Sequence, residues 1–253
     1  MKSRSSSTDR VSRKPQLKTL DRVLSKAGLG SRTEARKWIA AGRVKVNGKT
    51  IQSPDHWVDF ARDKVTLDNR PIQRSGNIYL LLYKPTGYIT TFKDPQGRPT
   101  VYDLIREAGR WVVPVGRLDQ DTSGLLLLTS DTQFAERVTN PDYKVPKTYL
   151  VKASTLLSED QLQQLRGGVV LSDGRTQPAH VKRVRDSAKY SFIEITIREG
   201  RNRQVRRMIE AVGSKVLKLV RTQIGGLRIG DLPIGKYREL TRAEIESLRT
   251  KAI

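Results

Sequence analysis

The chain contains no cysteine. Disulfides, thiolate metal sites and a cysteine nucleophile are therefore excluded. Enzymes that methylate C5 of uracil commonly attack C6 with a thiolate, and zinc deaminases need Cys or His ligands beside a glutamate, so neither chemistry can be built here. Histidine is almost as scarce. His56 and His180 stand far apart without a third partner, and both read as structural or surface residues, so no metal site is expected. No apolar run approaches the roughly 18 residues that a membrane span needs. The first residues also lack the apolar core of a secretory signal, so no membrane association and a cytoplasmic location are expected. Acid is in short supply as well: 26 Asp and Glu face 48 Lys and Arg, for a net charge of +22. That balance points to a polyanion, most commonly nucleic acid. The 253 residues suffice for one sizeable domain and a small one, each with its own core.

Lys2, Arg4, Arg10, Arg13 and Lys14 lie among serines at the start. This reads as a disordered basic tail over residues 1–16, touching phosphates or merely solubilising. From Leu20 the spacing of Leu20, Val23, Leu24 and Ala27 predicts a helix closed by Gly28 or Gly30. Ser31 and Glu34 make a capping-box signature for a second helix that carries Ala35, Trp38 and Ile39 inward and stops at Gly42. Asn47-Gly48 between short alternating runs then predicts a hairpin. Asn69-Arg70-Pro71 and Ser75-Gly76 read as a linker, with the domain boundary near Gly76.

In the larger domain, Ile78 to Tyr83 predicts a buried strand ending at Lys84-Pro85-Thr86-Gly87. Pro95, Gly97 and Pro99 mark a loop that leads to Val112–Val115. Gly116-Arg117-Leu118-Asp119-Gln120-Asp121-Thr122-Ser123-Gly124 follows, running into four consecutive leucines, Leu125 to Leu128. Four leucines cannot alternate between core and solvent, so they predict a strand covered on both faces, with the polar loop held at its edge. Local pattern alone favours an ordinary Asx turn for that loop. Further on, Asp131 starts a helix that Pro141 ends, and Lys147 to Lys152 predicts a strand. A helix capped by Ser158 and Gln161 ends at Gly167-Gly168, and Phe192 to Ile197 alternates as a strand. Val205, Met208, Ile209 and Val212 predict the buried face of a helix, with Arg203, Arg206 and Arg207 as an adjoining cationic stripe. Leu217 to Gly225 reads as a strand, and Thr241 with Glu244 caps a final helix.

Val115 to Thr129 resembles the signature of the pseudouridine synthases, in the branch that acts on ribosomal RNA and includes the RsuA and RluB types. The resemblance places the catalytic aspartate at Asp119. Lys84-Pro85-x-Gly87 resembles the family's first motif, whose lysine lies near the cleft and would meet RNA; a strand-ending surface lysine is the alternative. Lys147-x-Tyr149 resembles the second motif and makes Tyr149 a platform for the target base, where the pattern alone would read half-buried core. Arg198 to Met208 resembles the third, with Arg206 as the arginine paired with the aspartate. Many relatives carry histidine where Arg203 stands, which points to the RluB-like side. Arg117 matches the position that fills the gap left by a flipped uridine. Residues 17–64, studded with Lys26, Arg32, Arg36, Lys37, Arg43 and Lys45, resemble the S4 RNA-binding domain. It would give affinity for an RNA backbone with little sequence discrimination.

The resemblance thus implies an α+β protein: a small S4-like helical-hairpin domain, then a catalytic domain over 77–253 with a mixed, mostly antiparallel sheet and flanking helices. The implied reaction converts a specific uridine of ribosomal RNA, large subunit favoured over small, to pseudouridine without a cofactor, by a monomer. Asp119 would act as nucleophile or proton acceptor, and Asp121 would hold a turn. The competing reading is a non-enzymatic RNA-binding factor in ribosome assembly. The retained trio Asp119, Tyr149 and Arg206 speaks against it.

Overall fold

The computed structural model describes residues 17–73 and 76–250; the basic tail expected at 1–16 lies outside them. The chain divides into two compact units, residues 1–76 and 77–253.

The first unit runs β1 (Leu17–Thr19), α1 (Leu20–Lys26), α2 (Arg32–Ala40), β2 (Val44–Val46), β3 (Lys49–Thr50), β4 (Trp57–Asp59), β5 (Val65–Leu67) and β6 (Arg70–Pro71). Ser31 and Glu34 close the expected capping box at α2. Asn47 and Gly48 both take positive φ, 51° and 83°, which is what a tight hairpin between β2 and β3 demands. Leu20, Val23, Leu24, Ala35 and Ile39 pack on Val44, Val46, Val58 and Val65 to make a separate small core. One expectation fails here: Asn69-Arg70-Pro71 is not linker. Asp68 and Asn69, again at positive φ, turn the chain so that Arg70–Pro71 pairs with β5. The short polar run masked a second hairpin, because Asp and Asn supply the left-handed turn that glycine usually does.

The second unit comprises β7 (Tyr79–Lys84), β8 (Val113–Val115), β9 (Ser123–Thr129), α3 (Thr132–Thr139), β10 (Lys147–Ala153), α4 (Glu159–Gly167), β11 (Val170–Leu171), β12 (Gly174–Arg175), β13 (His180–Asp186), β14 (Ser191–Ile197), α5 (Gln204–Ala211), β15 (Val216–Ile224), β16 (Leu227–Arg228), β17 (Tyr237–Glu239) and α6 (Arg242–Arg249). The main sheet has the order β13-β14-β10-β15-β9-β7-β17. Among the described residues its pairs are antiparallel except β9 with β15, so the sheet is mixed and mostly antiparallel. The four leucines behave as a doubly covered strand must: Leu126 and Leu128 join one core, Leu125 and Leu127 the other. No helix among the described residues is long and apolar enough to cross a membrane.

Candidate active site

The site is built where one row of residues crosses four strands. Lys84 on β7 faces Gly124 on β9, Gly124 faces Arg221 on β15, and Arg221 faces Tyr149 on β10. Gly124 has φ of 118°, and any Cβ there would collide with the Arg221 backbone. That glycine lets the single parallel pairing of the main sheet form, and the pairing brings Arg221 beside the Asp119 loop.

The loop itself is held by a buried cation. Lys84 is fully buried, and its Nζ donates to the carbonyls of Pro85, Asp119 and Thr122 at 3.0, 2.9 and 2.8 Å. Two of those carbonyls bracket the turn that the Thr122 amide closes on the Asp119 oxygen at 3.1 Å. Burial pulls the Lys84 ammonium down to about 8, against the charges of Asp119 and Asp121 that hold it up. Lys84 lies beside the Asp119 loop, near the cleft as its motif implies, but it is not a surface lysine, and its enclosure in backbone leaves no face for the expected RNA contact. On the far side Thr90 brackets Leu118, its hydroxyl accepting from the Leu118 amide at 3.2 Å and donating to the Leu118 carbonyl at 2.9 Å. Asp119 thus stands on a turn fixed from both flanks, with its side chain 37% exposed.

That carboxylate opens on a cavity of about 410 Å³, lined among others by Arg117, Asp119, Lys147, Tyr149, Arg203 and Arg221. Tyr149 is buried, and its hydroxyl bonds to no described residue. Arg221 is 3% exposed; its Nε donates to the Leu125 carbonyl at 2.8 Å, while Nη2 is buried without a partner. An orphaned guanidinium nitrogen at a pocket wall is a donor awaiting an acceptor. Lys147 donates to the Val145 carbonyl at 3.1 Å, and burial together with the Arg221 charge pulls it down to about 8. Arg117 is exposed and pairs with no described residue.

The cation closest to the Asp119 carboxylate is Arg203, 3.5 Å away, rather than the expected Arg206. Arg206 reaches Asp121 instead: Nη2 lies 3.2 Å from its carboxylate and donates to its backbone carbonyl at 2.9 Å. Arg203 also pairs with Asp121, at 3.1 Å. The reason is backbone. Arg203 is not on the helix but caps its start in the left-handed conformation, φ 47°, which turns it toward the loop, while Arg206 lies in the first turn of α5, 7% exposed. Non-glycine residues held in that region cluster at functional sites. Asp121 therefore does more than hold a turn. Burial pushes its carboxyl up, but hydrogen bonds from Arg203 and the charges of Arg206 and Arg203 outweigh that and leave it below the usual carboxylate range. Arg207 departs from the expected stripe too: it forms a two-bond ion pair with Asp173 at 2.8 and 3.0 Å, and it does not line the cavity.

In the first unit, Asp21 is fully buried and accepts from Arg32 at 3.0 and 2.8 Å and from Arg36 at 3.0 Å. Arg43 pairs with Asp68 at 2.6 Å, and Lys45 donates to Asn69 at 2.9 Å. Lys37 is exposed with no partner among the described residues. All five expected RNA-binding cations are thus at the surface of that unit or near it, four of them held in place.

Two contributors escaped the sequence reading. Lys147 belonged to the Lys-x-Tyr motif without being given a role. Arg221 had only a weak signal, an arginine directly after Leu219-Val220 in a strand, and only the register reveals what it faces.

A carboxylate on a locked turn, a free phenol and an orphaned guanidinium around a nucleotide-sized cavity define an enzyme site. Residues 78–211 match the model of the RNA pseudouridylate synthase family, and residues 18–61 match the S4 domain. The chain is 41% identical over 238 residues to the ribosomal large subunit pseudouridine synthase B of Bacillus subtilis (strain 168), covering 93% of this chain and 97% of that one. It is 37% identical over 238 residues to the protein of the same name from Pseudomonas aeruginosa, covering 90% of this chain and 61% of that one. A crystal structure of a pseudouridylate synthase superposes with a TM-score of 0.65 at 32% identity, over 91% of this chain and 99% of that one. The chain belongs to the RNA pseudouridylate synthase family. It is an isomerase that carries an S4 domain ahead of its catalytic domain.

Proposed function

We propose that the protein converts a uridine of large-subunit ribosomal RNA to pseudouridine, with Asp119 as the catalytic carboxylate and no cofactor. The N1–C1′ bond breaks, the uracil turns, and C5 bonds to C1′; the proton on C5 leaves and N1 gains one, so atoms balance without an added reactant. The observation that carries this reading is the position of Asp119. It stands on a turn pinned by Lys84 and Thr90, and faces a cavity walled by Tyr149 and Arg221. Tyr149 offers its ring to the uracil and a free hydroxyl to a carbonyl or a proton in transit. Arg203 supplies the positive charge nearest the Asp119 carboxylate. Arg117, exposed at the rim, suits the gap left when the uridine swings out of its stack, since a flat guanidinium stacks on bases. The choice of large-subunit RNA rests on the names of the relatives above.

The test is tritium release from transcripts of each subunit's RNA labelled at C5 of uridine. Wild-type protein is expected to release tritium from large-subunit RNA. Asp119→Asn should cut the rate by about a thousandfold or more, some 4 kcal/mol of barrier, with RNA affinity nearly intact. Binding without release by the wild type on either RNA would leave two readings, a ribonucleoprotein as the true substrate or a non-enzymatic assembly factor.

A further inference from the structure

A rigid aromatic cluster stands beside the catalytic loop and takes no part in the chemistry above. Phe92, Tyr102 and Trp111 all belong to the long connection between β7 and β8. Trp111 and Tyr102 stack, with centroids 5.3 Å apart and planes 14° from parallel. Phe92 stands nearly perpendicular to both, 4.4 Å from Trp111 at 84° and 5.2 Å from Tyr102 at 83°. Neither neighbour is parallel to it, so its ring has no stacking partner within the cluster, and the residue is 44% exposed.

A single exposed phenylalanine at a loop tip needs no explanation. This one is braced. Asp94, two residues on, accepts from the backbone amides of Gln96 and Arg98 at 3.1 and 2.9 Å and from the Arg98 guanidinium at 2.8 Å. Those bonds hold its carboxyl down to about 2. The Thr91 hydroxyl donates to the Lys93 carbonyl at 3.1 Å, and Tyr102 anchors its own ring by donating to the Val112 carbonyl at 2.9 Å. The cluster is also continuous with the site. Thr90, two residues before Phe92, is the residue that brackets Leu118, and Gly87 donates to the Gln120 carbonyl at 2.8 Å. Exposed Lys93 adds a cation with no side-chain partner among the described residues.

We propose that Phe92 is a stacking platform for an unpaired RNA base flanking the target uridine, with Lys93 at that nucleotide's phosphate. The inference rests on the reading of the cavity as a uridine site. When the uridine leaves its stack, its neighbours lose a face. A fixed ring two residues from Thr90, which is bonded to the cavity-lining Leu118, replaces that face at little entropic cost, since its contacts with Trp111 and Tyr102 have already ordered it. Base–aromatic stacking tolerates any base, so Phe92 contributes affinity and register, and selects for single-stranded character around the target.

The experiment compares Phe92→Ala, Phe92→Leu and Phe92→Trp for binding of large-subunit RNA transcripts on filters and for tritium release. Phe92→Ala and Phe92→Leu are expected to weaken binding and raise KM by about tenfold, with the loss falling on KM rather than kcat, and Phe92→Trp to restore both. Wild-type affinity in Phe92→Leu would reduce Phe92 to an apolar brace and overturn the proposal. So would wild-type affinity in Phe92→Ala. The two readings separate cleanly: absence of tritium release by the wild type would sink the isomerase assignment on that RNA, while the dependence of binding on an aromatic at 92 would still decide the platform.

Discussion

The two units use positive charge in opposite ways. In the first, the cations sit outside and the carboxylate that organises them is buried: Asp21 is fully enclosed while Arg32 and Arg36 are about half exposed. At the candidate site of the second, the half-exposed Arg203 apart, the order is reversed. Lys84, Arg206 and Arg221 are buried, and the carboxylates of Asp119 and Asp121 are the partly exposed partners. A half-exposed arginine held at its base by a buried acid keeps N–H groups free for phosphate oxygens, which supplies affinity. A buried cation whose donors are taken up by backbone carbonyls, as in Lys84, has no phosphate to reach; it fixes geometry, and geometry is what a reacting carboxylate needs.

The sharpest way to break this contrast is to remove the buried cation. Lys84→Met keeps the length and apolar stem but strips three carbonyls of their donor, two of them at the ends of the Asp119 turn. Catalysis should fall by at least about a hundredfold, the scale set by an ångström of misplacement at a reacting group. RNA binding should hold, because Lys84 touches none. Stopped-flow or steady-state tritium release alongside filter binding decides it. Equal losses in both would place Lys84 among the RNA contacts after all.

The converse substitution acts on the first unit. Asp21→Asn leaves Arg32 and Arg36 without their anion and should destabilise that unit by about 2 kcal/mol, the range for hydrogen bonds to a charged group. Its pH dependence follows from the carboxyl. Burial, the largest influence, raises it, but the bonds from Thr19, Arg32 and Arg36 and the Arg32 charge prevail and hold it below the usual range. The stabilisation is therefore present above the ordinary carboxylate pKa and is lost as pH falls through the lowered folded value. Acid unfolding followed by hydrogen exchange in residues 17–73 should show that step in the wild type and not in Asp21→Asn.

How much of this was legible beforehand depended on whether the determinant was local. The capping boxes at Ser31, Ser158 and Thr241, the Asn47-Gly48 hairpin and the doubly buried leucine strand are read within a few residues, and each formed as the chain predicts. The loop bearing Asp119 was legible too, because its motif is contiguous. The cation arrangement was not. Whether Lys84 meets solvent, and whether Arg203 or Arg206 reaches Asp119, depends on backbone carbonyls 35 to 38 residues away and on one left-handed residue. Arg221 lies about a hundred residues beyond Asp119 in sequence, and only the parallel pairing at Gly124 makes them neighbours. Long-range register carries no local signature, and neither does a buried charge.

Lys147 gives the finest test, because it is a cation caught between the two regimes: largely enclosed, yet bonded to only one carbonyl and lining the cavity. Burial and the Arg221 charge bring it down to about 8. A lysine lowered in this way is charged below that value and neutral above it, so the cavity loses a positive charge as pH rises through about 8. The substrate is a polyanion, and the loss should weaken capture of the target nucleotide by a few-fold, an effect of roughly 1 kcal/mol. In the wild type, kcat/KM for RNA should therefore decline above pH 8. In Lys147→Arg, which stays charged throughout, that limb should flatten, whatever its absolute activity. A decline that persists in Lys147→Arg would move the titration to another group, with Lys84, also at about 8, the first to examine. The distinction is open to measurement because Lys84 titrates against the loop and Lys147 against the substrate: the first would alter kcat, the second KM.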